Sequence, residues 1–340
     1  MKSGDYNFLK NLPKAELHVH LEGTMEPELL LKIAERNRIK TQFNTIEQAR
    51  ESYSFKDFDG FIKAYFLHSQ VLVTEQDFYD VAWAYLEKMA PMGLKHIELF
   101  FDLQIYSGRV KPGVIISGLH NALKAGEKQF GITGLLILSF LRDQPERDAI
   151  QALEDIMPFK DKVVGVGLAS TEKNNPPSRF TAVFKKAREL GFRLTAHGGE
   201  CVADNIQDLI DLLQVERIDH GVKASLDQNL LNKIRNQKIP LTICPVSNMR
   251  LGVYQNISEH PIKKLLDYGI IVTINSDDPA FFGGDLLDNY LLAQKMGLSI
   301  QDLINCARNS FGASFLNNSQ KQEHVRALDL FLATCENKQS

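Results

Sequence analysis

Eight short apolar runs, separated from one another by segments of helical character, constrain this chain more than any other feature. They span 16–23, 96–101, 131–140, 163–168, 193–196, 217–220, 241–244 and 270–274. The runs are apolar throughout instead of alternating, as strands buried on both faces are, and strands that alternate with helices run parallel. Eight of them predict a closed (β/α)8 barrel, the TIM barrel of the α/β class, in preference to an open doubly wound sheet. The helical segments between them are 113–129, 147–157, 180–190, 204–214, 227–236 and 258–268. A phosphate-cradling Gly-x-Gly-x-x-Gly turn after a strand is absent.

Two regions lie outside the repeat. After the first strand comes a helical insertion, about 25–93, whose best helix starts at Thr74 as N-cap, with Asp77 three residues on and Phe78, Val81, Ala82, Tyr85, Leu86 and Met89 at helical spacing. An earlier helix around Phe55, Phe58, Phe61, Tyr65 and Phe66 is more aromatic than packing alone requires, which fits a pocket wall or lid. The tail, about 299–338, reads as further helices outside the barrel, and the whole 1–340 as a single domain.

The barrel determines where chemistry is to be sought, because active sites of this fold lie at the C-terminal ends of the strands. The first strand ends in His18-Val19-His20, the fifth runs into His197-Gly198-Gly199-Glu200, the sixth ends in His220-Gly221, and the eighth runs into Ser276-Asp277-Asp278-Pro279. His18 and His20 are two residues apart on a strand and so share a face. Taken singly, Asp277-Asp278-Pro279 reads as a turn, Glu200 as a helix N-terminal carboxylate and His220 as a buried imidazole. Their convergence at one end of one barrel makes a site. His18, His20, His197 and Asp277 supply three imidazole nitrogens and one carboxylate, a set suited to one Zn²⁺ per chain with a position left for solvent. Such a zinc lowers the pKa of bound water to about 7, and His220 and Glu200 stand where protons must move.

Composition enters mainly by exclusion. A net charge of −3 with no basic stripe excludes a broad nucleic-acid footprint and favours a small-molecule partner. Cys201, Cys244, Cys306 and Cys335 are too widely spaced for a zinc or redox Cys-x-x-Cys motif and too few for a disulfide scaffold, so a reducing cytoplasm is expected. The N-terminus lacks the apolar core of a signal peptide, and the longest apolar run, 132–141, is too short to span a bilayer. Oligomeric state leaves no signal.

Five stretches carry a resemblance: Pro13-Lys14-Ala15-Glu16-Leu17-His18-Val19-His20-Leu21-Glu22-Gly23, His197-Gly198-Gly199-Glu200, Arg217-Ile218-Asp219-His220-Gly221, Cys244-Pro245-Val246-Ser247-Asn248 and Asn275-Ser276-Asp277-Asp278-Pro279. In order and across nearly the whole chain they resemble the adenosine/adenine deaminase family. The resemblance implies zinc-dependent hydrolytic deamination of a purine at C6. It makes His18, His20, His197 and Asp277 the zinc ligands, Glu200 the acid at purine N1, His220 the group that deprotonates and orients water, and Asp278 the partner of N7.

Glu22, Asp219 and the run Gly167-Leu168-Ala169-Ser170-Thr171-Glu172 depart from the adenosine-acting pattern and resemble the adenine deaminase branch. Glu22, with Asp219 beside it, is expected to occupy the space a ribose needs, Gly167 to belong to the substrate site, and Ser170 to contact N3. The resulting expectation is conversion of adenine to hypoxanthine and ammonia in purine salvage. Adenosine, or an N6-substituted adenine accommodated by the small Ala169, is the alternative. A two-metal amidohydrolase would require a bridging Lys at the end of the fourth strand, where Ser170-Thr171 stands. A purine-binding barrel without activity would not require Glu200 and His220.

Overall fold

The computed structural model describes residues 3–43, 45–203 and 205–337; Asp204 and Lys338, at which two of the expected helical segments begin and end, lie outside them. Eight strands, β1 (Lys14–His20), β2 (Leu94–Phe101), β3 (Thr133–Leu141), β4 (Val163–Ala169), β5 (Arg193–Gly198), β6 (Arg217–His220), β7 (Leu241–Ile243) and β8 (Val272–Ile274), follow one another in sequence order around one sheet. Every adjacent pair is parallel. This is the expected (β/α)8 barrel. β1 is buried over its whole length, as a strand covered on both faces must be.

The seam between β8 and β1 closes just beyond β8. His20 N–H donates to the Asp277 carbonyl at 2.9 Å, Asp277 N–H donates to the His18 carbonyl at 3.1 Å, and the Asn275 side chain accepts from Leu17 N–H at 2.8 Å. Closing the barrel and bringing His18, His20 and Asp277 together are therefore one event.

The interior below this level is filled in layers. Glu98 and Arg217 pair at 2.6 Å with both side chains fully buried, and the Phe315 ring packs 4.3 Å from the Arg217 guanidinium. Asp219, Thr195 and Thr242 lie between that layer and the histidines.

The insertion is helical as expected, with helices Pro27–Arg36, Ile46–Glu51, Phe58–Ser69 and Glu75–Met89. Thr74 caps the last of them through a reciprocal box with Asp77, which satisfies two backbone donors at once. The aromatic helix Phe58–Ser69 lays Phe61 against Phe281 and Phe282, with ring centroids 5.4 and 5.0 Å apart, and forms a wall over the mouth of the barrel.

Several elements differ from the expectation, among them the helices Pro245–Arg250, Pro279–Phe282 and Leu286–Lys295, which no expected segment covers. Helix Ser3–Asn11 precedes β1, and its end is secured by buried Lys14, whose ammonium donates to the Leu9 and Leu12 carbonyls. The expected helix 204–214 is a short α-turn, Asn205–Asp208, running into a wider π-turn, Leu209–Leu213, which buries Leu209, Ile210 and Leu213. Pro261 divides 258–268 into a 3-10 turn, Ile257–Glu259, and a short α-helix, Ile262–Asp267.

Candidate metal-binding active site

At the C-terminal end of the barrel His18 Nε2 lies 2.9 Å from His197 Nε2, and His20 Nε2 lies 3.1 Å from the same atom. Asp277 Oδ1 is 3.1 Å from His18 Nε2 and 3.5 Å from His20 Nε2. Neutral imidazoles at such separations cannot all be satisfied by one another; ligand atoms about 3.3 Å apart are what bonds of about 2.0–2.1 Å to one tetrahedral ion require. The donors thus fit a single divalent cation. His220 stands against the same group: the ligand atoms of His18, His197, His220 and Asp277 all lie within 4.8 Å of one another, as do those of His20, Asp277 and Asp278.

The far side of His18 is oriented too, and that of His197 faces a carboxylate. His18 Nδ1 lies 3.1 Å from Thr242 Oγ1, and that hydroxyl donates to Asp219 Oδ1 at 2.8 Å, so His18 carries its proton on Nδ1 and turns the Nε2 lone pair inward. His197 Nδ1 faces Asp219 Oδ2 at 3.7 Å, and Asp277 Oδ2 accepts from Ser247 Oγ at 2.6 Å.

The electrostatics follow from burial. Burial, with His18 beside it, holds His197 well below the usual imidazole range, and burial brings both His20 and His220 down to about 3. Burial pushes Asp277 upward, but the surrounding imidazoles outweigh it and hold the carboxyl well below its ordinary range. Burial lowers His18 too, but the Asp277 charge outweighs it and raises that imidazole, so an ionised carboxylate sits among nitrogen donors and makes a cation receptor.

The backbone at these positions is unusual. Ser170, His220 and Asp277, at the ends of β4, β6 and β8, all have left-handed φ, of 73°, 66° and 67°. Non-glycine residues hold this conformation only where surrounding structure over-determines it, and such residues concentrate at functional sites.

Glu200, just after β5, is 6% exposed and accepts a 2.7 Å hydrogen bond from Asn248 Nδ2. His220 Nδ1 is 3.5 Å away. Burial, then the charges of Asp277 and Glu172, push the Glu200 carboxyl well above its ordinary range. Glu172 is itself held by the backbone N–H groups of Glu200 and Val202, at 3.1 and 2.8 Å.

A cavity of about 220 Å³ opens over the cluster, bounded by His20, His197, Glu200, His220, Asp277 and Asp278 at its floor. Its walls are Phe58, Phe61, Ile62 and Phe66 of the insertion, Leu141, Ala169 and Ser170 at strand ends, and Leu251 and Phe282.

Three residues expected at the substrate lie elsewhere. Asp219 sits beneath His197, because β6 turns it into the barrel interior. Gly167 faces Phe100, whose ring a Cβ would meet at 2.7 Å; Phe100 in turn stacks on His20 with centroids 5.1 Å apart. Glu22 lies behind the cavity wall, accepting from Tyr106 Oη at 2.9 Å and lying 3.1 Å from Tyr65 Oη. Tyr65 also donates to Asp102 Oδ2 at 2.8 Å, and one hydroxyl proton cannot serve two carboxylates. Glu22 holds the extra proton: burial and the Asp102 charge push it up to about 8, whereas burial brings Asp102 only to about 6.

Sequence reasoning did not single out Asn248, Ser247, Thr242 or Asp102 as participants, and it named Tyr65 only within the aromatic wall and Glu172 only within a recognised run. Ser247 and Asn248 lay inside a recognised stretch, and Asp102 directly follows the second apolar run, where a polar residue at a strand end is itself the signal.

A parallel eight-stranded barrel with a His/Asp cation receptor at its C-terminal mouth and a buried, proton-retaining carboxyl beside it defines a metal-binding hydrolase of the TIM-barrel class. Comparison narrows this further. The profile described as "Adenosine deaminase" matches residues 13–329, and the chain belongs to that family of hydrolytic deaminases. It is 47% identical over 330 residues to the adenine deaminase of Geotalea uraniireducens, covering 96% of this chain and 93% of the relative. The crystal structure of adenine deaminase from Arthrobacter aurescens superposes with a TM-score of 0.91 at 39% identity, covering 94% of this chain and 99% of that one. A Zn-bound amidohydrolase from Burkhoderia ambifaria shares the fold, with a TM-score of 0.89 at 24% identity over 98% of this chain and 95% of that one. Among the described residues no helix is long and apolar enough to cross a membrane.

Proposed function

We propose that the protein is a zinc-dependent adenine deaminase, a single catalytic domain over 1–340 that hydrolyses adenine to hypoxanthine and ammonia in purine salvage. The observation that carries this reading is Glu200: a buried carboxyl that keeps its proton, held by Asn248, at the edge of a cavity floored by a cation receptor. His18, His20, His197 and Asp277 are the zinc ligands, and zinc so held would supply Lewis acidity and an acidified water.

The chain's own groups do the rest. Protonated Glu200 donates to purine N1 and makes C6 electrophilic. His220, neutral because burial disfavours its charge, takes the proton of the attacking water and orients it toward C6. His220 then returns that proton to the C6 amino group, ammonia leaves as the C6–N bond breaks, and the C6 hydroxyl proton passes to Glu200 as C6=O forms, which restores both groups. Asp278 pairs with N7 and Ser170 with N3, both lining the cavity. The aromatic wall of the insertion excludes bulk water, which strengthens each of these interactions.

Adenine is supported as substrate by the names of the relatives. Four unpaired cysteines, Cys201, Cys244, Cys306 and Cys335, support a reducing, cytoplasmic setting. The test is ultraviolet absorbance of adenine, adenosine and N6-methyladenine incubated separately with the zinc-loaded enzyme. Turnover of adenine at least about 100-fold faster than adenosine is expected; fast turnover of adenosine with none of adenine overturns the substrate.

A further inference from the structure

Three buried oxygens at the cavity have no hydrogen-bond partner among the described residues: Ser170 Oγ, Asp278 Oδ1 and Asp102 Oδ1. Buried polar atoms left unpaired are costly and rare, so each calls for a ligand group. Ser170 and Asp278 have assigned partners on the purine. Asp102, 3% exposed at the end of β2, has none.

The order of the strands says which purine atom it faces. Around the barrel mouth the pocket groups run Glu200 after β5, Ser170 after β4, Asp102 after β2 and Asp278 after β8, with β1 between the last two. Around the edge of a purine held with C6 at the metal receptor the nitrogens run N1, N3, N9, N7. Placing N1 at Glu200 and N7 at Asp278 therefore leaves N9 facing the arc that contains β2. Asp102 lines the cavity and is held ready to accept from that nitrogen, because Tyr65 donates to its Oδ2 at 2.8 Å; the Ser139 hydroxyl is the other polar group beside the carboxyl, and Oδ1 is left without a partner among the described residues.

We propose that Asp102 is the specificity-determining residue that selects a free purine base over its nucleoside, its Oδ1 accepting a hydrogen bond from the N9–H that the base has and an N9-glycoside lacks. The inference rests on the purine orientation of the proposed function. It relocates the basis of sugar exclusion from Glu22, which is walled off, to a carboxylate that touches the ring. Tyr65 Oη lies nearer Asp102 than Glu22, at 2.8 against 3.1 Å, and its hydrogen bond favours the carboxylate form of Asp102, which can accept. A substituent at N9 removes the donor and leaves the buried carboxylate unpaired, the kind of mismatch that a site built to hydrogen-bond an N–H rejects by about 10⁴ or more.

The experiment compares kcat/KM for adenine and 9-methyladenine in the zinc-loaded wild type, Asp102→Ala and Asp102→Asn. The wild type is expected to prefer adenine by about 10³ or more, Asp102→Ala to lose most of its adenine activity and to narrow the preference to within about tenfold. Asp102→Asn, whose amide can donate to Tyr65 Oη while its carbonyl faces the ring, is expected to keep the preference. If Asp102→Ala lowers both substrates by one factor with the ratio unchanged, or if the wild type does not discriminate, the inference falls. Competitive inhibition by hypoxanthine against 9-methylhypoxanthine gives the same ratio in a variant too slow to assay. A wild type that turns over adenosine but not adenine sinks the proposed function itself; a wild type active on adenine with an unchanged ratio in Asp102→Ala sinks only the role of Asp102.

Discussion

The carboxyls below the histidine cluster and those above it are equally buried and behave in opposite ways. Below, burial pushes Glu98 and Asp219 upward, but Arg217 outweighs it at Glu98, and His18, His197 and Arg217 outweigh it at Asp219, so both lie below their ordinary range. Above, Glu200, Glu22, Asp102 and Asp278 have no cationic side chain among their main influences and are all pushed up, by burial first and in most cases by neighbouring carboxyls next. The cluster thus divides a layer of acids held below their ordinary range, which orients imidazoles and fills the barrel, from a layer of acids pushed above it, which faces a neutral heterocycle. Burial alone does not decide the state of an acid; the sign of its nearest charge does.

The largest expected effect comes from breaking the upper layer at Glu200. Glu200→Gln keeps the shape and the Asn248 contact but cannot deliver a proton to N1, so kcat should fall by about 10²–10⁴, the usual worth of general acid catalysis, with metal content unchanged. Steady-state kinetics alongside metal analysis check this. Near wild-type kcat in a variant of normal metal content would remove Glu200 from the proton path.

How far this division could be read from the sequence depends on whether a residue's role follows from its strand. The barrel was legible because buried parallel strands read as continuous apolar runs, and His18, His197, His220, Glu200 and Asp277 were legible because strand ends mark the mouth. What the side chains do there was less so. Asp219 and His220 are adjacent in sequence, yet Asp219 turns into the barrel beneath His197 whereas His220, at a left-handed φ of 66°, faces the cavity. A one-residue difference reverses the facing of a strand, and no composition signal marks it. Glu22 was placed correctly next to the ligand pair, but the tyrosines that wall it off, Tyr65 and Tyr106, come from the insertion and from the turn after β2, contacts between segments far apart in the chain. The helix Ser3–Asn11 escaped notice because it is short and is stabilised by Lys14 from the following strand, not by its own pattern.

A smaller effect should follow from breaking the lower layer. Asp219 accepts from Thr195 Oγ1 at 2.7 Å and from Thr242 Oγ1 at 2.8 Å, and through the latter it fixes His18. Asp219→Asn replaces an acceptor by a donor on one side and removes the charge facing His197, so metal affinity should drop by about 10–100-fold, the usual cost of losing an orienting partner of a metal-binding histidine. Competition with a chromophoric chelator measures it. At saturating metal kcat should largely recover, which separates this residue from Glu200; an unchanged affinity would mean that the hydroxyls alone orient the rings.

The smallest effect sharpens the comparison through stability. Glu22 is protonated in the fold, with a pKa of about 8 set by burial and the Asp102 charge, but titrates near the ordinary value of 4.5 once unfolded. Between those two pH values the folded state holds a proton that the unfolded state has released, so stability contributed by this group is full below about pH 4.5 and is lost as pH rises through about 8. One such group gives a slope of at most about 1.4 kcal/mol per pH unit over that window. Glu22→Gln, neutral at every pH and able to keep a partner for Tyr65 or Tyr106, should therefore flatten the fall of Tm between about pH 5 and pH 8 relative to the wild type, while leaving a comparable Tm at the acid end. Thermal melts at fixed metal load across that range read the difference directly. A variant whose Tm runs parallel to the wild type would place the shared proton on Asp102 instead, and would move the boundary between the two layers of acid to the other side of Tyr65.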